Sequence, residues 1–136
     1  MSAEENKAII RRAFEVWNKG NLDIFDELFA TNYVYHDPGN PEVCSQKDYR
    51  RFVSRVRTAF PDMHLATEDI IAEGDKIAVR YTFRGTHTGG GSPTGKHVTI
   101  TGIGIMRFAD GKVVEFWVNA DMLGYRQQLG AVPSAE

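Results

Sequence analysis

Cysteine is nearly absent from this 136-residue sequence: Cys44 stands alone, so no internal disulfide forms, and no Cys/His cluster with zinc-ligand spacing surrounds it. Long apolar runs are missing as well. None approaches the ~20 residues that span a bilayer, and residues 1–7 are too polar for the apolar stretch of a secretory signal. A membrane is therefore not an expected partner, and the expected location is cytoplasmic. Basic charge is not in excess: 16 Lys and Arg stand against 18 Asp and Glu, for a net charge of −2. Such a chain has no positive field to collect phosphates, so nucleic acid is not an expected partner. There is no internal repeat, no Gly-x-Ser-x-Gly elbow, and no His-x-His or His-x-x-x-His pair. His36 and Asp37 are adjacent at a strand end, so their side chains diverge, and no metal site is expected.

What is present is an ordinary globular composition, 42% hydrophobic and 25% charged, read as one domain over residues 1–136 with its core at about 5–130. Ile10, Ala13, Phe14 and Trp17 recur at helical spacing, which predicts a helix over Ala3–Lys19 stopped at Gly20. Asn21 is an N-cap candidate for a short second helix carrying Leu22, Phe25, Leu28 and Phe29, followed by a short strand over 33–36. Ser45 and Asp48 form a capping-box pattern before a third helix, stopped by Pro61. One face of that helix carries Lys47, Arg50, Arg51 and Arg55, read as a solvated face.

After residue 63 the period changes to two. Strands are expected over 63–72, 77–84, 99–108 and 112–119, with hairpin turns at Gly74-Asp75 and Asp110-Gly111. The glycine-rich stretch 88–95 does not open a helix and reads as a flexible connection. Asp121 is an N-cap candidate for a final helix over Met122–Leu129. Helices gathered before a run of strands imply an α+β fold, with helices packed on one face of a curved antiparallel sheet.

The chain resembles the SnoaL-like polyketide cyclases and ester cyclases of the nuclear-transport-factor-2-like superfamily. The resemblance rests on Trp17-Asn18-Lys19-Gly20-Asn21, His36-Asp37-Pro38, Phe60-Pro61-Asp62, Ala72-Glu73-Gly74-Asp75-Lys76, Thr101-Gly102-Ile103-Gly104-Ile105, Trp117 with Asp121 four residues on, and Gln128-Leu129-Gly130. It implies a cone-shaped fold, a bent sheet wrapped round a long helix and enclosing an apolar cavity. It also implies a cofactor-free cyclase or isomerase acting by acid/base chemistry on an apolar, polyketide-like carbonyl compound. By motif Asp121 takes the place of the family's general acid/base, with His36 and His97 as assisting histidines. Homodimerisation through the open sheet face is a further implication.

By period two, Glu115, Trp117 and Asn119 share one face of the last strand, and Asp121 continues that parity if the strand persists. These three, with Tyr33 and Trp17, are the candidate substrate contacts. Two alternatives stand beside this reading. Asp121 before Met122 is equally the pattern of a helix cap, and His36-Asp37 before Pro38 can serve only to organise a turn. The same scaffold would also serve a non-catalytic binder of a small apolar ligand or a protein partner.

Overall fold

The computed structural model describes residues 2–133. Helix α1 (Ala3–Lys19) begins at a capping box in which Ser2 and Glu5 satisfy each other's backbone N–H groups, and it ends at Gly20 in the left-handed conformation, φ 72°. Its apolar stripe of Ile10, Ala13, Phe14 and Trp17 is buried, as its spacing requires. A 3₁₀ turn (Leu22–Ile24) then leads into α2 (Phe25–Leu28). Asn21 does not cap this segment: its backbone (φ −80°, ψ 70°) lacks the extended geometry of an N-cap, and its side chain makes no cap hydrogen bond. Phe29 leaves the helix and opens β1 (Phe29–His36), four residues earlier than the sequence pattern suggested.

Helix α3 (Gln46–Ala59) carries the predicted Ser45/Asp48 capping box. Four strands follow as antiparallel hairpins: β2 (His64–Glu73), β3 (Lys76–Thr86), β4 (His97–Ala109) and β5 (Lys112–Ala120), closed by α4 (Met122–Leu129). The sheet order is β1-β5-β4-β3-β2, with β1 parallel to β5 and every other pair antiparallel. It stays open, with β1 and β2 as its edges. Register shifts at Thr67/Asp69 and Arg107/Phe108 are the irregularities that bend such a sheet. Burial alternates residue by residue along β4, so one face meets the helices and the other faces outward. The core between them holds Ile10, Phe25, Val53, Ile77, Val98 and Val113 with no exposed area.

The glycine-rich connection between β3 and β4 is anchored rather than loose. The Gly89 amide donates to the Ala59 carbonyl at 3.1 Å, and the Gly95 amide donates to the His87 carbonyl at 2.8 Å. A β-carbon at Gly89 would collide with the Thr58 carbonyl oxygen, so the loop lies against the end of α3 only because residue 89 has no side chain.

Strand β2 has a free edge, and Asn18 covers part of it. Its carboxamide nitrogen donates to the Leu65 carbonyl at 3.0 Å and its oxygen accepts from the Leu65 amide at 2.7 Å, replacing a strand partner with a helix side chain. Asn18→Ala strips both bonds and should lower stability by about 1–3 kcal/mol, read as a lower urea midpoint. An unchanged midpoint would show that water replaces the carboxamide without loss.

Candidate active site

Helices α1 and α3 do not fill the concave side of the sheet. They leave a pocket of about 330 Å³ walled by Phe14, Phe52, Phe60, Phe83, Met106 and Phe116. Its size is within the ~300–1,000 Å³ typical of small-ligand sites. Among its lining residues Asp37 is the only carboxylate and Arg55 the only cation.

Asp37 reaches the pocket by strand parity. In β1, Tyr33 and Tyr35 face inward while Val34 and His36 face outward. Asp37 is the next inward position, and it is 8% exposed. Its Oδ2 accepts from the Tyr35 hydroxyl and from Asn40 Nδ2, and its Oδ1 from the Gly39 amide, each at 2.9 Å. A carboxylate offers about four acceptor positions, so one on Oδ1 is left to receive a proton from a ligand. The turn after β1, built from Pro38, Gly39 and Asn40, therefore aims the carboxylate as well as reversing the chain.

Four phenols share the pocket with it, Tyr125 being the one at the α4 side. Tyr35, Tyr49 and Tyr81 all line the pocket, and burial pushes each of their pKa values well above that of an ordinary tyrosine. They are hydrogen-bond donors at neutral pH. Tyr35 is committed to Asp37, and Tyr49 Oη accepts from the Trp17 indole N–H at 3.0 Å. Arg55 lies over the Phe52 ring at 5.5 Å and sits 3.8 Å from Glu42 on the solvent side. An apolar chamber with one carboxylate and several phenol donors can bind an uncharged carbonyl compound and move a proton on it.

A family model for SnoaL-like polyketide cyclases matches residues 7–129. The chain belongs to the SnoaL-like polyketide cyclase family. It is 28% identical over 130 residues to the aklanonic acid methyl ester cyclase DnrD of Streptomyces peucetius, spanning 90% of this chain and 88% of that protein. Among solved structures it is similar to AclR of Streptomyces galilaeus, with TM-score 0.87, 31% identity, and 99% and 87% of the two chains covered. TsrD of Streptomyces laurentii superposes with TM-score 0.86 at 27% identity, covering 97% and 99%.

Membership in the SnoaL-like family directs attention to Asp121, His36 and His97, and none of the three lines the pocket. Strand β5 stops at Ala120. Asp121 is exposed and accepts the Gly124 amide at 2.9 Å, the capping role that the sequence also allowed. Glu115, Trp117 and Asn119 do share a face, but it is the outer one, because Phe116 and Ala120 take the inner positions and line the pocket. His36 is on the same outer face: its ring stacks on Trp117 at 5.4 Å, and its Nε2 lies 2.7 Å from Glu115 Oε2. His97, at the start of β4, is exposed between Thr86 and Thr99. Of the expected substrate contacts Trp17 is in the pocket wall, while Tyr33 is buried outside it. Asp37 was not singled out from the sequence as a catalytic residue. Its period-two relation to Tyr33 and Tyr35 was the available signal.

The outer cluster makes a pH-dependent contribution of its own. Hydrogen bonds from His36 and from Arg107, which reaches Glu115 Oε1 at 3.1 Å, hold the Glu115 carboxyl below its ordinary pKa. A depressed carboxylate pKa stabilises the fold above the unfolded-state value, ~4.3 for Glu. That contribution fades as pH falls below this value and through the lower folded-state one. Glu115→Gln should therefore reduce the steepness of acid destabilisation below about pH 4.3, followed by urea midpoints across pH. Parallel wild-type and mutant profiles would remove Glu115 from the account.

Proposed function

We propose that this chain is a cofactor-free cyclase acting on an apolar, polyketide-like carbonyl compound, with Asp37 as its general base. The observation that carries the reading is the buried Asp37 carboxylate in an otherwise apolar pocket, held by three donors with one acceptor position free. A curated relative in the family is named for acting on aklanonic acid methyl ester, which supplies the substrate class and a first test compound.

The chemistry is an intramolecular aldol closure. Asp37 Oδ1 removes a proton from a carbon flanked by carbonyls, leaving an enolate. The enolate carbon bonds to a second carbonyl carbon of the same molecule, whose oxygen becomes an alkoxide and takes the proton back from Asp37. Proton and electrons balance within substrate and carboxylate, so the reaction calls on no cofactor. The aromatic walls favour an uncharged ligand and exclude water that would compete for the enolate.

In this reading Asp121 works as a helix cap, and its carboxylate is the competing base. Asp37→Asn should lower kcat on aklanonic acid methyl ester by about 10²–10⁴-fold, whereas Asp121→Asn should stay within a few-fold of wild type. The reverse ranking would return the role to Asp121. A wild-type chain that binds the ester without turning it over would make the pocket a receptacle rather than an active site.

The outer face supports homodimerisation as part of the same proposal. One cross-strand row runs Ile71, Ala78, Ile105, Trp117, His36 through all five strands. Ile71 is 68% exposed, and Val34, Ile103, Ile105 and Trp117 are exposed with it. A contiguous apolar patch of this kind marks an interaction surface, and a second copy of this chain supplies a matching one. Light scattering should give about 31 kDa, twice the 15.3 kDa chain mass, and 15.3 kDa would refute it. No described helix is long and apolar enough to cross a membrane. A cytoplasmic location belongs to the proposal too, since the one cysteine is free and exposed and calls for no oxidising compartment.

A further inference from the structure

A base that generates an enolate needs a partner for the oxygen on which the charge collects, and the four phenols of the pocket, Tyr35, Tyr49, Tyr81 and Tyr125, differ in how they are held. Tyr35 donates its hydroxyl proton to Asp37, whereas the Tyr49 oxygen accepts from the Trp17 indole and keeps its own O–H to donate. Neither Tyr81 nor Tyr125 has a hydrogen-bond partner for its hydroxyl among the described residues, and of the four phenols it is Tyr81 that lies over a glycine in the sheet floor.

The position of Tyr81 depends on Gly102. The two residues are register partners across β3 and β4. On the inner face of β4 a β-carbon at 102 would overlap Cζ and Oη of Tyr81. The phenol thus lies across β4 through a notch that only glycine leaves. In sheet order β3 is followed by β4, β5 and β1, so the hydroxyl leans toward the side of the pocket where Asp37 ends β1. The Phe14 ring, edge-on at 6.1 Å, holds the phenol from the helix side. Burial, with the Asp37 charge adding to it, raises the phenol's pKa and keeps the hydroxyl protonated.

We propose that Tyr81 is the hydrogen-bond donor to the developing enolate oxygen, and that Gly102 is the positioning residue that admits it. This rests on Asp37 as the base. The substrate class narrows accordingly to carbonyl compounds that can place the acidic carbon on Asp37 while their oxygen reaches the centre of the sheet floor. A donor preorganised at the site of charge development acts on the transition state more than on the bound ground state.

Two measurements test it. With aklanonic acid methyl ester, Tyr81→Phe should lower kcat by about 10²–10³-fold, with KM within a few-fold of wild type and the melting temperature retained. The second measurement needs no turnover, so it stands even if Asp37 is not the base. Phenol, 4-chlorophenol and 4-nitrophenol are titrated calorimetrically into the Asp37→Asn chain, whose neutral side chain resembles the protonated base. Affinity should rise with ligand acidity, because the oxygen that carries charge meets the Tyr81 hydroxyl. The rise should flatten when Tyr81→Phe is added, and equally when Gly102→Ala is added with Tyr81 still present, provided both variants melt cooperatively. A rise that survives Tyr81→Phe, or one that flattens only with Tyr49→Phe, overturns the proposal. Loss with Tyr81→Phe but none with Gly102→Ala overturns the role of Gly102.

Discussion

Each strand position offers its side chain to one face of the sheet only, and in this fold the two faces have different solvents. The concave face meets α1 and α3 and an apolar pocket, while the convex face meets water or another protein surface. The parallel pairing of β1 with β5 sets the assignment at the site, because His36 opposite Trp117 and Tyr35 opposite Phe116 leave no choice of parity on either strand. From that pairing follow the inward Asp37, the outward cluster of His36, Glu115 and Trp117, and the aromatic row that walls the pocket.

The inner face is built from large apolar residues, and a carboxylate among them is costly unless its oxygens are bonded. The chain meets this with local groups: a tyrosine two residues before Asp37, an amide two residues after and a carboxamide three residues after. The same short segment that turns the chain out of β1 therefore also satisfies the charge. Pocket and core are otherwise continuous. The pocket lies between the concave face of the sheet and helices α1 and α3, and the absent side chain at Gly102 leaves room on its floor for the Tyr81 phenol.

The convex face has a separate character. Its charged residues pair with one another, as in Arg80 with Asp69 at 2.7 Å and Arg107 with Glu115 at 3.1 Å, while Ile103, Ile105 and Trp117 are left exposed between them. Exposed ion pairs of this kind add little stability. The pocket on one face and the exposed apolar strip on the other are divided by a single layer of backbone.

Much of the architecture was legible in order. The helical spacing of Ile10, Ala13, Phe14 and Trp17, the Ser45/Asp48 capping box, the turns at Gly74-Asp75 and Asp110-Gly111 and the last helix all report local physics, and local physics depends only on neighbours in the chain. The early start of β1 was not legible, because Phe29 fits a helical stripe as well as a strand and its partner Val113 is far away in sequence. The candidate site shows the same division. Period two correctly grouped Glu115, Trp117 and Asn119, yet parity within one strand cannot say which face is the inside. That was decided by helix packing and by the β1–β5 register, which bring together residues from opposite ends of the chain. The sequence by itself determined an α+β fold with alternating strands and a family resemblance. Only the tertiary structure decided that Asp37, and not Asp121 or either histidine, is the carboxylate facing the pocket.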